Sequence, residues 1–396
     1  MDAEAFPTPD EPVDELAPRA LEQIVSDGED VTILDARSTG DFEEWHIDGE
    51  GVEIANVPYF EFIEGLDAEL LADVPQGDPL VVLCAKGGAS EYVAGLLQEE
   101  GRDVVHLEDG MNGYASVYHA VEVEAYDGPG TVLQYQRPSS GCLGYMVYDD
   151  EEAAVIDPLQ AFTDRYLEDA ADLGVDLTYA FDTHIHADHV SGVRALDEAG
   201  VTGVIPSAAV DRGVTYADDL LTAEDGDTFS VGDATVEVVY TPGHTSGMTS
   251  YLVGDSLLTT GDGLFTESVA RPDLEEGDEG APDAARQLYE SLQERVLALD
   301  DDVLVGGAHF SDSAEPAADG TYTAPIGDLT ESMAALTAEE SEFVEQVLAD
   351  MPPRPANYED IIATNLGQRD TDEEEAFALE LGPNNCAASQ ESMTSD

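Results

Sequence analysis

The chain has 396 residues, 88 of them acidic and 13 basic, for a formal net charge of -75. That balance excludes nucleic acid and anionic membranes as partners, because both are recognised through clustered Lys and Arg. A hydrophobic share of 42% is enough for ordinary cores and sets the chain apart from a disordered polyanion. The acids are spread along the whole length, so the composition reads as a surface adapted to concentrated salt and points to an extreme halophile. Cys84, Cys142 and Cys386 are far apart and odd in number, which suits a reducing cytoplasm better than a disulfide framework. The opening "MDAEAFPTPDEP" lacks the pattern of a signal or transit peptide, and no apolar run has the length of a bilayer span. A cytoplasmic location is therefore expected.

From about Glu15 to Val121 short apolar runs alternate with helical periodicity. "VTILDA" and "PLVVLC" read as buried strands, and "SEYVAGLLQEEG" reads as a helix capped by Ser90 and stopped at Gly101. The alternation predicts an α/β domain over 1–125 with a mainly parallel sheet. "LDARSTGDFEEWHIDG" followed by "NVP" resembles the rhodanese signature, with Asp35, Arg37, Phe42, His46, Gly49, Asn56 and Pro58 in order. The resemblance implies structural roles for Asp35, Arg37 and His46. The functional match is "VVLCAKGGAS", where a strand ends at Cys84 and a Gly-rich loop leads into a helix. Successive N–H groups in such a loop make an anion-binding nest. Cys84 is the expected sulfur carrier. Lys86, the sole lysine of the chain, is expected to act beside it. Packing is the default for Cys142 and Cys386. Ala89 stands where rhodanese loops often carry Arg.

"EAYDGPG" marks a turn-rich linker, and a second domain is expected over 126–328. "TVLQYQR", "LGYMVYD" and "AAVID" read as successive strands, followed by the helix "DRYLEDAADLG" and the strand "LTYAFDTH". "ATVEVVYTPGH", "TSYLVGD", "SLLTTGD" and "DVLVGGAH" are further strands, each closing near a His or Asp. In "DTHIHADHVSG", His184 and His186 are two apart, so an extended chain would point both rings the same way. Asp188 and His189 follow on the turn, and His244, Asp262 and His309 lie downstream.

This constellation resembles the metallo-β-lactamase superfold, over roughly Thr131 to Phe310. It implies an αββα sandwich with metal at one edge. Two arrangements follow from the resemblance. In a glyoxalase II-like hydrolase, His184, His186 and His244 hold one zinc, Asp188, His189 and His309 a second, and Asp262 bridges. In a persulfide dioxygenase, His184, His244 and Asp262 alone hold one Fe(II), with His186, Asp188, His189 and His309 around them. "TGDGLFTESVARPDL", with Arg271 and Asp273, resembles the dioxygenase branch, and Arg271 is a candidate for meeting a substrate carboxylate. "GAHF" departs from the "GHDY" expected at the last histidine.

The region 329–396 reads as a helical extension packing on the metal domain, broken at "PPRPANYED" and similar to the tails of rhodanese-linked members. A sulfurtransferase has a chemical reason to sit beside a persulfide dioxygenase and little reason to sit beside a thioester hydrolase. The expected function is thus oxidation of a thiol persulfide to sulfite at one Fe(II) per chain, coupled to sulfur transfer by Cys84. The alternatives are a two-zinc hydrolase and a non-enzymatic persulfide carrier. A small-molecule thiol persulfide and dioxygen are the expected partners, without nucleic acid or membrane, and a homodimer is the assembly entertained.

Overall fold

The computed structural model describes residues 6–7, 9, 11–63, 65–311, 314–349, 351–352, 354–355, 357–382 and 387–388. Cys386 lies outside them. The chain divides into two compact units, one of residues up to 118 with 137–140, the other of 119–136 and 141 onward.

The first unit is a five-stranded sheet: β1 (Asp14–Leu16), β2 (Val31–Asp35), β3 (Val52–Asn56), β4 (Leu80–Leu83) and β5 (Val104–Leu107). All its pairings are parallel, in the order β1-β5-β4-β2-β3. Period-2 alternation divides the strands between two apolar layers: Ile33, Val81 and Leu83 on one face, Leu34, Val82 and Cys84 on the other. A sheet buried on both faces reads as the continuous apolar runs seen in the sequence. Arg37 donates to Asp35 Oδ2 at 2.6 Å and to the Trp45 carbonyl at 2.6 Å, and Asn56 donates to the Asp35 and Arg37 carbonyls at 3.0 and 3.1 Å. These bonds tie the turn after β2 to β3, a structural task for the signature residues. The helix after β4 runs Gly88–Glu99, starting two residues earlier than anticipated. Gly87 turns the chain at φ 88°, and Ser90 sits inside the first turn, donating to the Gly87 carbonyl at 2.8 Å rather than capping.

The second unit is the αββα sandwich. Its first sheet contains β6 (His119–Glu122), β7 (Thr131–Arg137), β8 (Cys142–Asp149), β9 (Glu152–Ile156), β10 (Asp176–Phe181), β11 (Thr202–Pro206) and β12 (Leu221–Ala223), in the order β12-β11-β10-β9-β8-β7-β6. The other contains β13 (Thr228–Val231), β14 (Ala234–Tyr240), β15 (Thr249–Val253), β16 (Leu257–Gly261), β17 (Leu304–Gly307) and β18 (Thr323–Pro325), in chain order. Leu143, Tyr145, Val147 and Phe181 from one sheet meet Val236, Val238, Tyr251 and Leu257 from the other in a single apolar layer. Behind the second sheet, Val239, Leu258 and Val305 pack with Ala285 and Leu288 of the helix Gly277–Ser291 and with Phe343 and Val347 of Glu340–Ala349. The helix Thr163–Leu173 ends at Gly174 in the left-handed region. Two more helices, Tyr358–Asn365 and Glu373–Leu379, follow in the C-terminal stretch. No helix among the described residues is long and apolar enough to cross a membrane.

Candidate metal centre

β9 and β10 are parallel, as are β16 and β17, and β14 runs with β16 because each is antiparallel to β15. Asp157, the Asp182–His189 loop, His244, Asp262 and His309 therefore leave carboxyl ends of strands, and Cys142 enters β8, antiparallel to β9, at the same edge. Asp157, at φ 50°, is the hub of the loop. Its Oδ1 accepts from the Thr183 amide at 2.7 Å and its Oδ2 from the Thr183 hydroxyl at 2.9 Å.

Those bonds fix the histidine tautomers. With its proton given to Asp157, Thr183 Oγ1 must accept from His184 Nδ1, 3.0 Å away. His244 Nδ1 likewise donates to the Arg271 carbonyl at 3.0 Å. Both rings therefore turn an Nε2 lone pair inward, to 3.5 and 3.4 Å from Asp262 Oδ2. These two nitrogens and both Asp262 oxygens are buried and have no hydrogen-bond partner. Orphaned acceptors of this kind cost free energy unless something else binds them. The donor set, two neutral imidazoles and one carboxylate, fits a metal ion with bonds of about 2.0–2.2 Å. Burial, and then the neighbouring His186, push His184 down to about 3, so the ring is neutral. Burial lowers His244 as well. Burial opposes ionisation of Asp262, but the charge of His309 and the closeness of His184 hold it well below the usual carboxylate range.

His186 does not join this face. The loop is bent rather than extended, and His186 Nε2 lies 3.0 Å from Asp157 Oδ1 and 3.7 Å from Asp182 Oδ1. The expected common direction for His184 and His186 is therefore replaced by divergence, because Asp157 competes for the second ring. A separate buried group gathers Cys142, Asp188, His189 and His309, with donor atoms all within 4.8 Å of one another. His309 stands between the two groups: Nε2 is 2.8 Å from Asp188 Oδ2, and Nδ1 is 2.6 Å from Asp262 Oδ1 without hydrogen-bond alignment. The Arg271 guanidinium is buried against Asp273, with Nε 2.8 Å from Oδ1, so its carbonyl rather than its charge reaches the centre.

Sequence reasoning leaves Asp157, Thr183 and Asn365 unassigned and reads Cys142 as packing, whereas the structure sets Cys142 among Asp188, His189 and His309. Asn365 donates to the His186 and His189 carbonyls at 3.0 and 2.8 Å and accepts from the Ser191 amide at 2.9 Å. Glu380 accepts from the Val190 amide at 2.8 Å. In the first unit Cys84 is buried at the end of β4, its Sγ 3.4 Å from Ser90 Oγ, and Lys86 is exposed in the loop.

The family description "Metallo-beta-lactamase superfamily" matches residues 139–309, and "Rhodanese-like domain" matches 17–116. The mitochondrial persulfide dioxygenase ETHE1 of Homo sapiens is 32% identical over 46% of this chain and 68% of its own length. The chain belongs to the metallo-beta-lactamase superfamily. Within that superfamily it is also similar to the hydroxyacylglutathione hydrolase of Gloeobacter violaceus, 37% identical over 41% of this chain and 62% of the relative. The crystal structure of ETHE1 from Myxococcus xanthus matches at 29% identity with a TM-score of 0.50, covering 60% of this chain and 98% of that one. Superfamily membership sets the sandwich and the edge where these His and Asp side chains gather; the chemistry depends on which of them are used.

Proposed function

We propose that the chain oxidises a low-molecular-weight thiol persulfide to sulfite with dioxygen at one Fe(II), and that Cys84 exchanges sulfane sulfur in the same sulfide catabolism. The net reaction takes R–S–SH, dioxygen and water to R–SH, sulfite and two protons. The observation that carries this reading is the face of three orphaned donors, His184, His244 and Asp262, with His186 held away by Asp157. One Fe(II) on that face would supply the redox change and leave three positions for dioxygen and the outer sulfur. Thr183 and the Arg271 carbonyl keep the Nδ1 protons in place, so that the Nε2 lone pairs stay available. The similarity to the persulfide dioxygenases supports the reading. At Cys84, a thiolate attacking thiosulfate takes its outer sulfur and releases sulfite; in reverse, a Cys84 persulfide passes sulfur to sulfite.

A dinuclear zinc thioester hydrolase is the second reading. It is favoured by the grouping of Asp188, His189 and His309 and by the similarity to hydroxyacylglutathione hydrolases. Anaerobic purification followed by metal analysis and oxygen uptake separates the two. The dioxygenase is expected to hold about one iron per chain and to release sulfite from a supplied persulfide. His244→Ala loses both iron and turnover, and His309→Ala keeps its iron. Cys84→Ser abolishes thiosulfate sulfur transfer and leaves oxygen uptake intact. Two zincs, thioester cleavage and no oxygen uptake would establish the hydrolase instead.

A further inference from the structure

Cys142 occupies a built position. An isolated bridge pairs it with His309, and the flanking backbone closes on both sides: the Phe310 amide donates to the Gly141 carbonyl at 2.9 Å and the Leu143 amide to the Ala308 carbonyl at 2.6 Å. Position 141 admits glycine alone, since φ is +72° and a Cβ would lie 2.2 Å from the Phe310 carbonyl oxygen. The chain is thus clamped so that a buried thiol, 1% exposed, enters between Asp188, His189 and His309. Its S–H donates to Asp188 Oδ2 at 3.4 Å, and the sulfur lies within 4.8 Å of a ring nitrogen of each of His189 and His309. Asp188 Oδ2 receives His189 Nδ1 at 2.8 Å and His309 Nε2 at 2.8 Å as well.

We propose that Cys142 sets the metal count: its thiol fills the space among Asp188, His189 and His309, so only the His184–His244–Asp262 face takes an ion. The inference rests on the mononuclear reading and supplies its physical cause. Asp188, His189 and His309 are the side chains a second ion would need, and here they surround a sulfur atom. An ion bonded to O and N at about 2.0–2.2 Å must enter the volume that sulfur fills, or take it as a ligand at about 2.3 Å. It must also displace the three protons now aimed at one carboxylate oxygen. His309 is restrained from the other side by Asp262, 2.6 Å from its Nδ1. Cys142→Ala replaces the thiol by hydrogen, opens room of the order of one water-sized probe, and takes one proton donor from Asp188.

The test is a Zn(II) titration of the full-length apo-protein in molar salt, with metal per chain counted after desalting. Wild type is expected to retain about one zinc and Cys142→Ala about two, the second being lost again in Cys142→Ala/Asp188→Asn. A residue of merely structural importance would lose metal on substitution, not gain it. Two zincs in wild type falling to one in Cys142→Ala would make Cys142 a ligand and overturn the proposal; equal counts would overturn it too. Should Cys142→Ala fail to fold, Co(II) in Cys84→Ser protein decides. One equivalent without thiolate-to-cobalt charge-transfer absorption supports the proposal, and that absorption or a second equivalent overturns it. Oxygen uptake is scored separately: an iron-loaded wild type with one metal and no uptake removes the dioxygenase reading and leaves the role of Cys142 standing.

Discussion

Thr183 shows how one hydroxyl selects a histidine tautomer. Its proton goes to Asp157 Oδ2 at 2.9 Å, which leaves its oxygen as the acceptor for His184 Nδ1. Thr183→Val keeps the shape and removes the acceptor, so His184 loses its reason to present Nε2 to Asp262. Loss of such outer partners weakens metal binding by about 10–100-fold. Thr183→Ser should retain most of the affinity, and metal-competition titration distinguishes the pair; equal affinities in the two variants would sink the orienting role. The same residues set a pH dependence. An ordinary imidazole begins to take up protons near 6.5, whereas burial pushes His184 down to about 3, so protons compete less with metal for its ring. The His184 ring therefore stays neutral well into acid, burial acts on His244 in the same direction, and metal content followed from pH 8 downward should hold through 6.5 and fall only below it. Half-release near 6.5 would show that His184 titrates like an exposed ring. At this scale the ligand candidates were legible because His and Asp at strand ends are conspicuous. Their orienting partners were not: Asp157 also follows a strand, but its bonds to Thr183 join residues 26 apart, which no local pattern records.

Whole strands and helices of the site were easier to read than their contacts. The runs around β2, β4, β8 and β14 are apolar or alternating, and the structure forms strands there because burial rewards those periods. β1 and β12 are three residues each and too short for a period to register. The reach of the C-terminal stretch onto the metal loop was also hidden, since it depends on single side chains. Asn365 makes three hydrogen bonds to the main chain of His186, His189 and Ser191 while only 4% exposed. Asn365→Ala would leave two carbonyls and one amide buried without partners, at about 1–3 kcal/mol for each group left unpaired. The expected outcome is a lower denaturation midpoint in high salt and faster metal release to a chelator. An unchanged release rate would mean that the loop holds its shape alone. Gly243 offers a comparison within the same site: at φ +145°, an added Cβ would come within 2.4 Å of Leu288 Cα. Gly243→Ala should therefore displace His244 and reduce metal content without touching any ligand.

The whole molecule is dominated by charge that its own cations cannot neutralise. Arg37, Arg165, Arg271, Arg295, Arg354 and Arg369 are already committed to ion pairs. With 13 basic residues against 88 acidic ones, most carboxylates have no cation to meet. Were all 88 acids spread over the 17243 Å² of accessible surface, each would have about 200 Å², a spacing of about 14 Å, and the few that are buried widen this little. Screening decides whether that spacing matters. The Debye length is about 30 Å at 0.01 M salt, so each charge then feels several neighbours; at 1 M it is about 3 Å and each is nearly isolated. Unfolding separates the charges, so the unscreened repulsion favours the unfolded chain, against a net stability of only about 5–15 kcal/mol for a typical domain. Folding is therefore expected to require molar salt. Far-ultraviolet circular dichroism during stepwise dialysis follows the whole chain, and the one tryptophan, Trp45, reports on the first unit by its emission. Both signals should lose their folded values as salt falls toward the millimolar range and recover when it is restored. A spectrum that stays unchanged at millimolar salt, with a reversible melt there, would mean that the acidic surface is tolerated without screening and would remove the halophilic reading of the composition.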